Sequence, residues 1–185
     1  MPVPDAARGM SRRDLLSAAL VVANGALIAP LRLGDPEVTI ATFSDAGERT
    51  GTARVPKMVL TDAEWMKRLP SRLAFEVTRH GDTEIAFTGA YWNLHEAGLF
   101  RCVCCDTALF SSTHKFDSGT GWPSFTEPAD RANVELLDDF SYGMHRIEVN
   151  CAACGGHLGH VFPDGPGVTG ERYCINSCSL ELDER

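Results

Sequence analysis

Short runs of aromatic and β-branched residues fill the chain after Gly89, and Gly, Pro, Asp or Asn separates each run from the next. Runs of this length and composition predict strands joined by turns. The predicted strands are Leu99–Val103, Ala108–Ser111, Val134–Leu137, Met144–Val149, Leu158–Phe162, Arg172–Ile175 and Ser179–Leu182. We therefore expect this part of the chain to be a small, mainly β domain.

Helical signals precede the strands. The run Thr61-Asp62-Ala63-Glu64 is a capping box, in which the Thr hydroxyl and the Glu carboxylate satisfy free N–H groups at a helix start. A short helix is predicted over Thr61–Arg68, ending before Pro70. A second is predicted over Ser71–Arg79, stopped by Gly81.

The first 35 residues differ from the rest of the chain. Paired arginines, Arg12-Arg13, precede an uncharged run from Leu15 to Leu31. This order is typical of a twin-arginine export signal and predicts a periplasmic protein. The run is shorter than the ~20 residues that span a bilayer comfortably. An uncleaved segment that anchors the chain to a membrane stays open as the alternative, because no clear cleavage site follows.

Residues 36–57 are polar and show no clear period, so they are predicted to be a linker. Residues 58–185 then form one domain, which agrees with a chain of 185 residues. The net charge is −8 and no basic stripe is present. A nucleic-acid partner is therefore not expected, because phosphate binding needs clustered Lys and Arg.

Two C-x-x-C pairs, Cys102/Cys105 and Cys151/Cys154, indicate a zinc site. Each pair places two sulfurs on one turn, and four thiolates complete a tetrahedron with no open position, which predicts one structural ion. The long separation of the pairs makes the intervening segment a piece of the domain. Cys104 is a rival ligand that would break the two-residue spacer. The alternatives are two disulfides, or one redox C-x-x-C of a thiol–disulfide oxidoreductase.

A reactive cysteine is indicated at Cys174, two residues after Arg172. Side chains two apart on a strand share a face, so the guanidinium would lie beside the thiol and favour the nucleophilic thiolate. His157 and His160 could supply protons, and Trp122, in a Gly- and Pro-containing loop, could form an aromatic wall for a small apolar group. A lone cysteine on a strand is otherwise a buried small hydrophobe.

Three runs carry a resemblance to a known family: FDSGTGWPSF (Phe116–Phe125), HLGHVF (His157–Phe162) and RYCINS (Arg172–Ser177). Together with both C-x-x-C pairs, they resemble the B-type methionine sulfoxide reductases, which are peptide-methionine (R)-S-oxide reductases. The resemblance covers about residues 58–182. It implies a β-tent, Mss4-like fold of two antiparallel sheets with short N-terminal helices, and a structural zinc site away from the active site.

The resemblance also implies a role for each candidate site residue. Cys174 would attack the sulfoxide sulfur, become a sulfenic acid and release methionine. Trp122 would contact the substrate methyl group, and Arg172 would be the cation near the thiol. The polar groups around the sulfoxide oxygen would be His157, His160 and Asn176. The implied substrate is oxidised methionine in proteins, and methionine sulfoxide reduction is a form of oxidative repair.

The chain departs from the family where a recycling cysteine is common, because Thr120 occupies that position. Cys178 is then the first candidate to resolve the sulfenic acid on Cys174, provided that the intervening residues turn. Direct reduction by an external thiol, such as a thioredoxin-like protein, is the second, and Cys104 is the last. Asp106 replaces the usual Gly after Cys105.

These features predict an exported enzyme with one zinc ion and no organic cofactor, and we expect it to be a monomer. The main alternative is a zinc-held β module that binds a partner without chemistry. That module would have no need of Cys174 and the two histidines.

Overall fold

The computed structural model describes residues 36–44 and 46–184. The predicted export signal lies outside the described residues. The helices are α1 (Asp62–Arg68) and α2 (Arg72–His80). The strands are β1 (Glu37–Phe43), β2 (Arg49–Pro56), β3 (Gly98–Cys102), β4 (Ala108–Ser111), β5 (Lys115–Phe116), β6 (Ser124–Phe125), β7 (Val134–Asp139), β8 (Arg146–Cys151), β9 (His157–Phe162), β10 (Arg172–Ile175) and β11 (Leu180–Glu184).

All strand pairs in the described part of the chain are antiparallel. Six strands form one sheet in the order β5-β6-β10-β9-β8-β7, and three form a second in the order β11-β3-β4. The prediction of a mainly β fold with antiparallel sheets and short helices is confirmed. Strands β1 and β2 add a separate two-stranded sheet.

The prediction of a linker over residues 36–57 was wrong, because β1 and β2 form a hairpin there. Val38 and Ile40 are half-buried while Thr39 between them is exposed, which is the alternation of a strand with one packed face. The hairpin is tied to the domain by Asn133, whose amide bonds both the N–H and the carbonyl of Ala41. The two-residue alternation of these strands is weak in the sequence, because their exposed positions carry polar residues and the strands are short.

Aromatic side chains fill the core between the two larger sheets. Phe100 of β3, Phe110 of β4 and Phe125 of β6 are fully buried. The Phe110 and Phe125 rings stack with centroids 4.5 Å apart, and Phe100 meets Phe125 edge-on at 5.1 Å. Such pairs stabilise the fold beyond the area that they bury. They hold β6 and β10, which carry the candidate site, against the second sheet.

The helices begin and end as the sequence indicates. The capping box at the start of α1 is present, with the Thr61 N–H bonded to Glu64. Ser71 caps α2, and Gly81 ends it in a left-handed conformation that favours glycine. Neither helix in the described residues has the length and apolar character needed to cross a membrane.

Candidate active site and metal centre

Cys174 lies on β10, in the middle of the six-stranded sheet. It pairs with His160 of β9 on one side and with Ser124 of β6 on the other. His160 in turn pairs with Glu148 of β8, so that Glu148, His160 and Cys174 form a row across three strands. Directly paired side chains share a face of the sheet. The fold therefore places an imidazole beside the partly exposed thiol.

A cation and a hydroxyl group also lie beside the thiol. The Thr120 Oγ1 atom is 4.0 Å from the Cys174 sulfur. Arg172 is buried, and its guanidinium donates two hydrogen bonds to the Asp164 carboxylate, at 2.8 and 3.0 Å. This fork fixes the guanidinium on the face of β10 that carries Cys174, as the spacing of the two residues predicts.

Two opposing effects act on the ionisation of the Cys174 thiol. Burial raises the pKa of the Cys174 thiol above its ordinary value, and the charge of Arg172 and the Thr120 hydroxyl lower it only in part. Asp164 adds a further small increase in the pKa. Arg172 thus favours the thiolate, as its spacing from Cys174 predicts, but burial has the larger effect. The thiol form dominates at neutral pH, and an attacking sulfur needs a group to take its proton.

His157 and His160 lie on the same face because β9 contains a bulge. The ladder skips one residue between Val149 and Asn150, so Gly159 and His157 face consecutive residues of β8. The two imidazole rings meet edge-on with centroids 5.4 Å apart. A Cβ at Gly159 would lie 2.1 Å from the Cys174 carbonyl oxygen, so only glycine allows β9 to approach β10 this closely.

A carboxylate orients each histidine. The His157 Nδ1 atom is 2.5 Å from Glu148 Oε1, and the His160 Nε2 atom is 2.8 Å from Asp139 Oδ2. Hydrogen bonds from Ser141 hold the pKa of Asp139 well below its usual range. Burial lowers the pKa of His160, although Asp139 opposes the shift. His160 is thus a neutral imidazole whose Nε2–H donates to a carboxylate, which leaves Nδ1 as the proton acceptor.

Trp122 and Asn176 are connected through one residue that the sequence did not indicate. The Trp122 indole N–H donates to the Glu84 carbonyl oxygen at 3.1 Å, and the Glu84 N–H donates to Asn176 Oδ1 at 3.0 Å. The Asn176 amide also donates to the Leu158 carbonyl oxygen at 3.0 Å. Asn176 is only 3% exposed. Only one amide N–H of Asn176 remains to donate to a sulfoxide oxygen. Asn176 can therefore make fewer contacts with a substrate than the sequence implies.

Cys178 lies in a different environment from Cys174. It lines a cavity of about 310 Å³, together with Pro70, Leu73, Val103 and Leu180, and the cavity lining includes neither Cys174 nor Trp122. Burial raises the pKa of the Cys178 thiol well above its ordinary value, and the nearby Glu84 carboxylate adds to the increase. A resolving cysteine attacks as a thiolate, so these surroundings weigh against the predicted resolving role of Cys178.

The sequence reasoning missed the acidic residues of the site. They are Glu84, Asp139, Glu148 and Asp164. Asp164 follows the HLGHVF run by two residues, and a search of that run's flanks would have found it. Glu148 is one of the polar residues that alternate with apolar residues along β8. No local signal marks Glu84, which lies 92 positions before its partner Asn176.

Four cysteine sulfurs converge at the C-terminal ends of β3 and β8. The Sγ atoms of Cys102, Cys105, Cys151 and Cys154 all lie within 4.8 Å of one another. The Cys102–Cys154 separation is 3.7 Å and the Cys105–Cys151 separation is 3.5 Å. A tetrahedral zinc ion with bonds of about 2.3 Å places its sulfurs about 3.8 Å apart. The four residues therefore fit a zinc ion, as the two C-x-x-C pairs predict.

The turns around these sulfurs have the shape that a metal knuckle requires. Asp106 has a φ of 65° and Gly155 has the same value, so each pair is followed by a left-handed residue. Asp is one of the few residues besides Gly that enters this region readily, which explains why Asp106 is tolerated there. Cys104 is fully buried next to the cluster but does not belong to the convergent set of four.

Comparisons with known proteins agree with this arrangement. The SelR domain family model matches residues 71–184. A peptide methionine sulfoxide reductase MsrB of Pseudomonas aeruginosa strain UCBPP-PA14 is 55% identical over 121 residues, which cover 65% of this chain and 91% of that protein. The protein of the same name from Herminiimonas arsenicoxydans is 54% identical over 127 residues, covering 69% and 92%.

A more distant relative shows the same extent of similarity. The peptide methionine sulfoxide reductase MsrB of Synechococcus sp. strain RCC307 is 50% identical over 125 residues, covering 68% of this chain and 91% of that protein. Each of these relatives is therefore matched over nearly its whole length. The predicted resemblance is confirmed, and the chain belongs to the SelR-domain family of peptide methionine sulfoxide reductases, the MsrB family.

Proposed function

We propose that this protein reduces methionine (R)-sulfoxide in proteins to methionine, with Cys174 as the nucleophile. Membership of the MsrB family supports methionine sulfoxide reduction as the activity. The observation that carries the residue assignment is the cross-strand pair of Cys174 and His160, since it puts a proton acceptor beside a thiol that is protonated at rest. Nucleophilic sulfur chemistry needs such a base.

The proposed chemistry balances without a metal or organic cofactor. The Cys174 sulfur attacks the sulfoxide sulfur, and the sulfoxide oxygen is protonated and leaves as water. One water then adds to the Cys174 sulfur as the S–S bond breaks and its electron pair departs with methionine. The products are methionine and a sulfenic acid on Cys174. Two external thiols then reduce the sulfenic acid, releasing water and one disulfide and restoring the Cys174 thiol.

The two histidines manage the proton in this step. Nδ1 of the neutral His160 accepts the proton of the Cys174 thiol as the sulfur attacks, and the Asp139 carboxylate on Nε2 stabilises the imidazolium that forms. The proton is then available to the departing sulfoxide oxygen. The Arg172 guanidinium, held by Asp164, stabilises negative charge at the same place. His157, oriented by Glu148, is the second polar group near this oxygen.

The substrate methyl group is assigned to Trp122. The half-buried indole is fixed by its bond to Glu84 and stands as an apolar wall beside a protic site. An apolar methyl and a polar oxygen on one sulfur then distinguish the R epimer from the S epimer, because exchanging the two groups would put oxygen against the ring.

The four-cysteine cluster is proposed to hold one structural zinc ion. Cys102, Cys105, Cys151 and Cys154 would be its ligands, and with four thiolates it has no position for substrate. The ion would join the β3 end of one sheet to the β8 end of the other and stabilise the fold. We propose no catalytic part for it.

We further propose that a thioredoxin-like or other external thiol recycles Cys174, and that the protein repairs oxidised proteins after twin-arginine export to the periplasm. The arginine pair and the uncharged run of residues 1–35 support export. A folded, metal-loaded protein suits that route, because free cysteines sent unfolded into an oxidising compartment form wrong disulfides.

The decisive test is the turnover of two peptides, one with methionine (R)-sulfoxide and one with the S epimer, in the presence of dithiothreitol. Wild type is expected to reduce only the R peptide, and Cys174→Ser is expected to lose all activity. Lys67→Ala, at an exposed position of α1, is the control for handling. A binding module without chemistry would leave both peptides oxidised, and retained activity in Cys174→Ser would remove the nucleophile assignment.

A further inference from the structure

We propose that Glu84 is a positioning residue for the sulfoxide site, a role that rests on the proposed function. Glu84 lies between α2 and β3, in a segment without helix or strand, and is 3% exposed. Its main chain is bonded to both Trp122 and Asn176, as described above. The residue thus connects the apolar wall of the site with the segment that follows Cys174.

The Glu84 side chain fixes where that main chain lies. One carboxylate oxygen accepts from the Ser177 N–H at 2.6 Å, and the other accepts from the Cys178 N–H at 3.0 Å. Hydrogen bonds to an ionised acceptor are about twice as strong as neutral ones. The carboxylate therefore anchors residue 84 to the turn that begins three residues after the nucleophile.

Close packing by Gly89 and Ser177 restricts the position of the Glu84 carboxylate. A Cβ at Gly89 would lie 2.6 Å from Glu84 Oε1 and 2.3 Å from Ser177 Oγ, so the segment is pressed directly against the turn. Ser177 is itself 3% exposed, and its hydroxyl accepts from the Tyr91 N–H. The main chain beside Trp122 is bonded directly to β10, where the Ile175 N–H donates to the Pro123 carbonyl oxygen, whereas the indole is held through Glu84 by the Trp122–Glu84 and Glu84–Ser177 bonds.

A shape-preserving change separates this role from a general role in folding. Glu84→Gln keeps the size but turns one acceptor into an NH₂ group that faces a backbone N–H. The anchor should loosen, and the indole should no longer be held at one distance from the nucleophile. We expect KM for the R-sulfoxide peptide to rise about tenfold or more, while kcat stays within about threefold. The Cys174 alkylation rate with iodoacetamide should stay within about twofold of wild type.

A double-mutant cycle with Trp122→Phe tests the proposed route. That change removes the indole N–H that bonds Glu84 and keeps an aromatic ring. If Glu84 acts by placing the indole, the KM effects of Glu84→Gln and Trp122→Phe are not multiplicative, and the double variant resembles the worse single variant. Fully multiplicative effects would overturn the route. Glu76→Gln on α2, whose carboxylate pairs only with Arg72 in the described residues, is the matched control.

Thermal unfolding of the zinc-loaded full chain accompanies each assay. If Glu84→Gln does not unfold cooperatively, Glu84→Asp, which keeps the charge but shortens the reach, is assayed in its place. If neither variant folds, or if KM matches wild type while only stability falls, Glu84 is a folding residue and the proposal is wrong. A wild-type chain that reduces neither peptide would instead remove the proposed function, and this inference with it.

Discussion

The Thr120 side chain lies beside the proposed nucleophile, with its Oγ1 atom 4.0 Å from the Cys174 sulfur. Thr120 is also bonded to Ser118, whose hydroxyl is 2.8 Å away and in turn lies 2.7 Å from the Ser124 hydroxyl. A chain of hydroxyl groups therefore lines one side of the thiol. In a family that often uses a second cysteine, this is the position from which a second sulfur would reach Cys174.

Thr120→Cys should create a resolving cysteine in one step. A sulfur at this position needs only a small movement to reach the S–S bonding distance of about 2.05 Å. After one turnover with the R-sulfoxide peptide and no reductant, we expect mass spectrometry to find a bond between Cys174 and the introduced sulfur in most molecules. Ser118→Cys, one hydroxyl further from the thiol, is the control. A persistent sulfenic acid in Thr120→Cys would contradict this geometry.

Cys178→Ser should leave recycling intact. Burial and the Glu84 carboxylate raise the pKa of the Cys178 thiol, so almost none of it is thiolate at neutral pH. With dithiothreitol as the reductant, kcat should stay within about twofold of wild type. The measurement is steady-state turnover, followed by peptide mapping of the oxidised wild type. A Cys174–Cys178 bond in that map would show that the segment between them moves and would restore the resolving role.

The histidine pair shows why part of this site could be predicted and part could not. The residue types of the HLGHVF run predict proton chemistry, because residue type is a local property of the sequence. Residues three apart on a regular strand face opposite sides, however, and only the bulge at Gly159 brings His157 and His160 to one face. A bulge depends on how β9 pairs with β8, so the sequence of β9 alone does not predict it.

The same reason explains the missed partners. Arg172 and Cys174 share a face through strand alternation, so their neighbourhood was predicted from spacing alone. Glu84 and the β1–β2 hairpin act through contacts with residues far along the chain, Asn176 and Asn133 respectively. The sequence indicated the cation that lowers the pKa of Cys174 but not the burial that raises it, because burial is a property of the whole fold.

The reactivity of Cys174 should rise steeply with pH. Burial raises the pKa of this thiol above the ordinary value of about 8.5, so the thiolate fraction grows about tenfold per pH unit between pH 7 and 8.5. The alkylation rate with iodoacetamide should follow it. Arg172→Gln removes a charge that lowers the pKa, so its profile should move to higher pH. Arg101→Gln on the other sheet should not move it; a rate independent of pH would contradict the assignment.

Removal of one metal ligand should cost the ion and much of the stability. Cys105→Ser leaves three thiolates, and structural zinc contributes folding free energy directly, about 10–16 kcal/mol in zinc-finger peptides. We expect about one zinc per wild-type chain by metal analysis, less than about 0.2 in Cys105→Ser, and a free energy of unfolding lower by at least about 3 kcal/mol.

Cys104→Ala is the matched control for the metal prediction, because this buried sulfur is next to the cluster but outside the convergent four. It should keep about one zinc per chain and lose only packing energy, about 1 kcal/mol. Loss of zinc in Cys104→Ala with retention in Cys105→Ser would exchange the two residues as ligands and change the spacing of the first knuckle.

Asn133 should prove to be the attachment point of the N-terminal hairpin. Its fully buried amide accepts from the Ala41 N–H at 2.7 Å and donates to the carbonyl oxygens of Ala41 and Ala108 at 3.0 and 2.7 Å. Asn133→Ala leaves three buried backbone groups without this hydrogen-bond partner, namely the Ala41 N–H and the carbonyl oxygens of Ala41 and Ala108. Each costs about 1–3 kcal/mol when unpaired. Since the hairpin edge can admit water, we expect the free energy of unfolding to fall by about 2–4 kcal/mol.

The same change should leave the chemistry alone, because Asn133 contacts neither Cys174 nor the histidines. Chemical denaturation measures the stability, proteolysis reports release of residues 37–56, and turnover at a temperature where the variant is folded should match wild type. Asn93→Ala, at an exposed asparagine, is the control. If Asn133→Ala is as stable as wild type, the hydrogen bonds of Asn133 do not hold the hairpin. Its attachment would then depend on the apolar contacts of Val38, Ile40 and Val55 with the core.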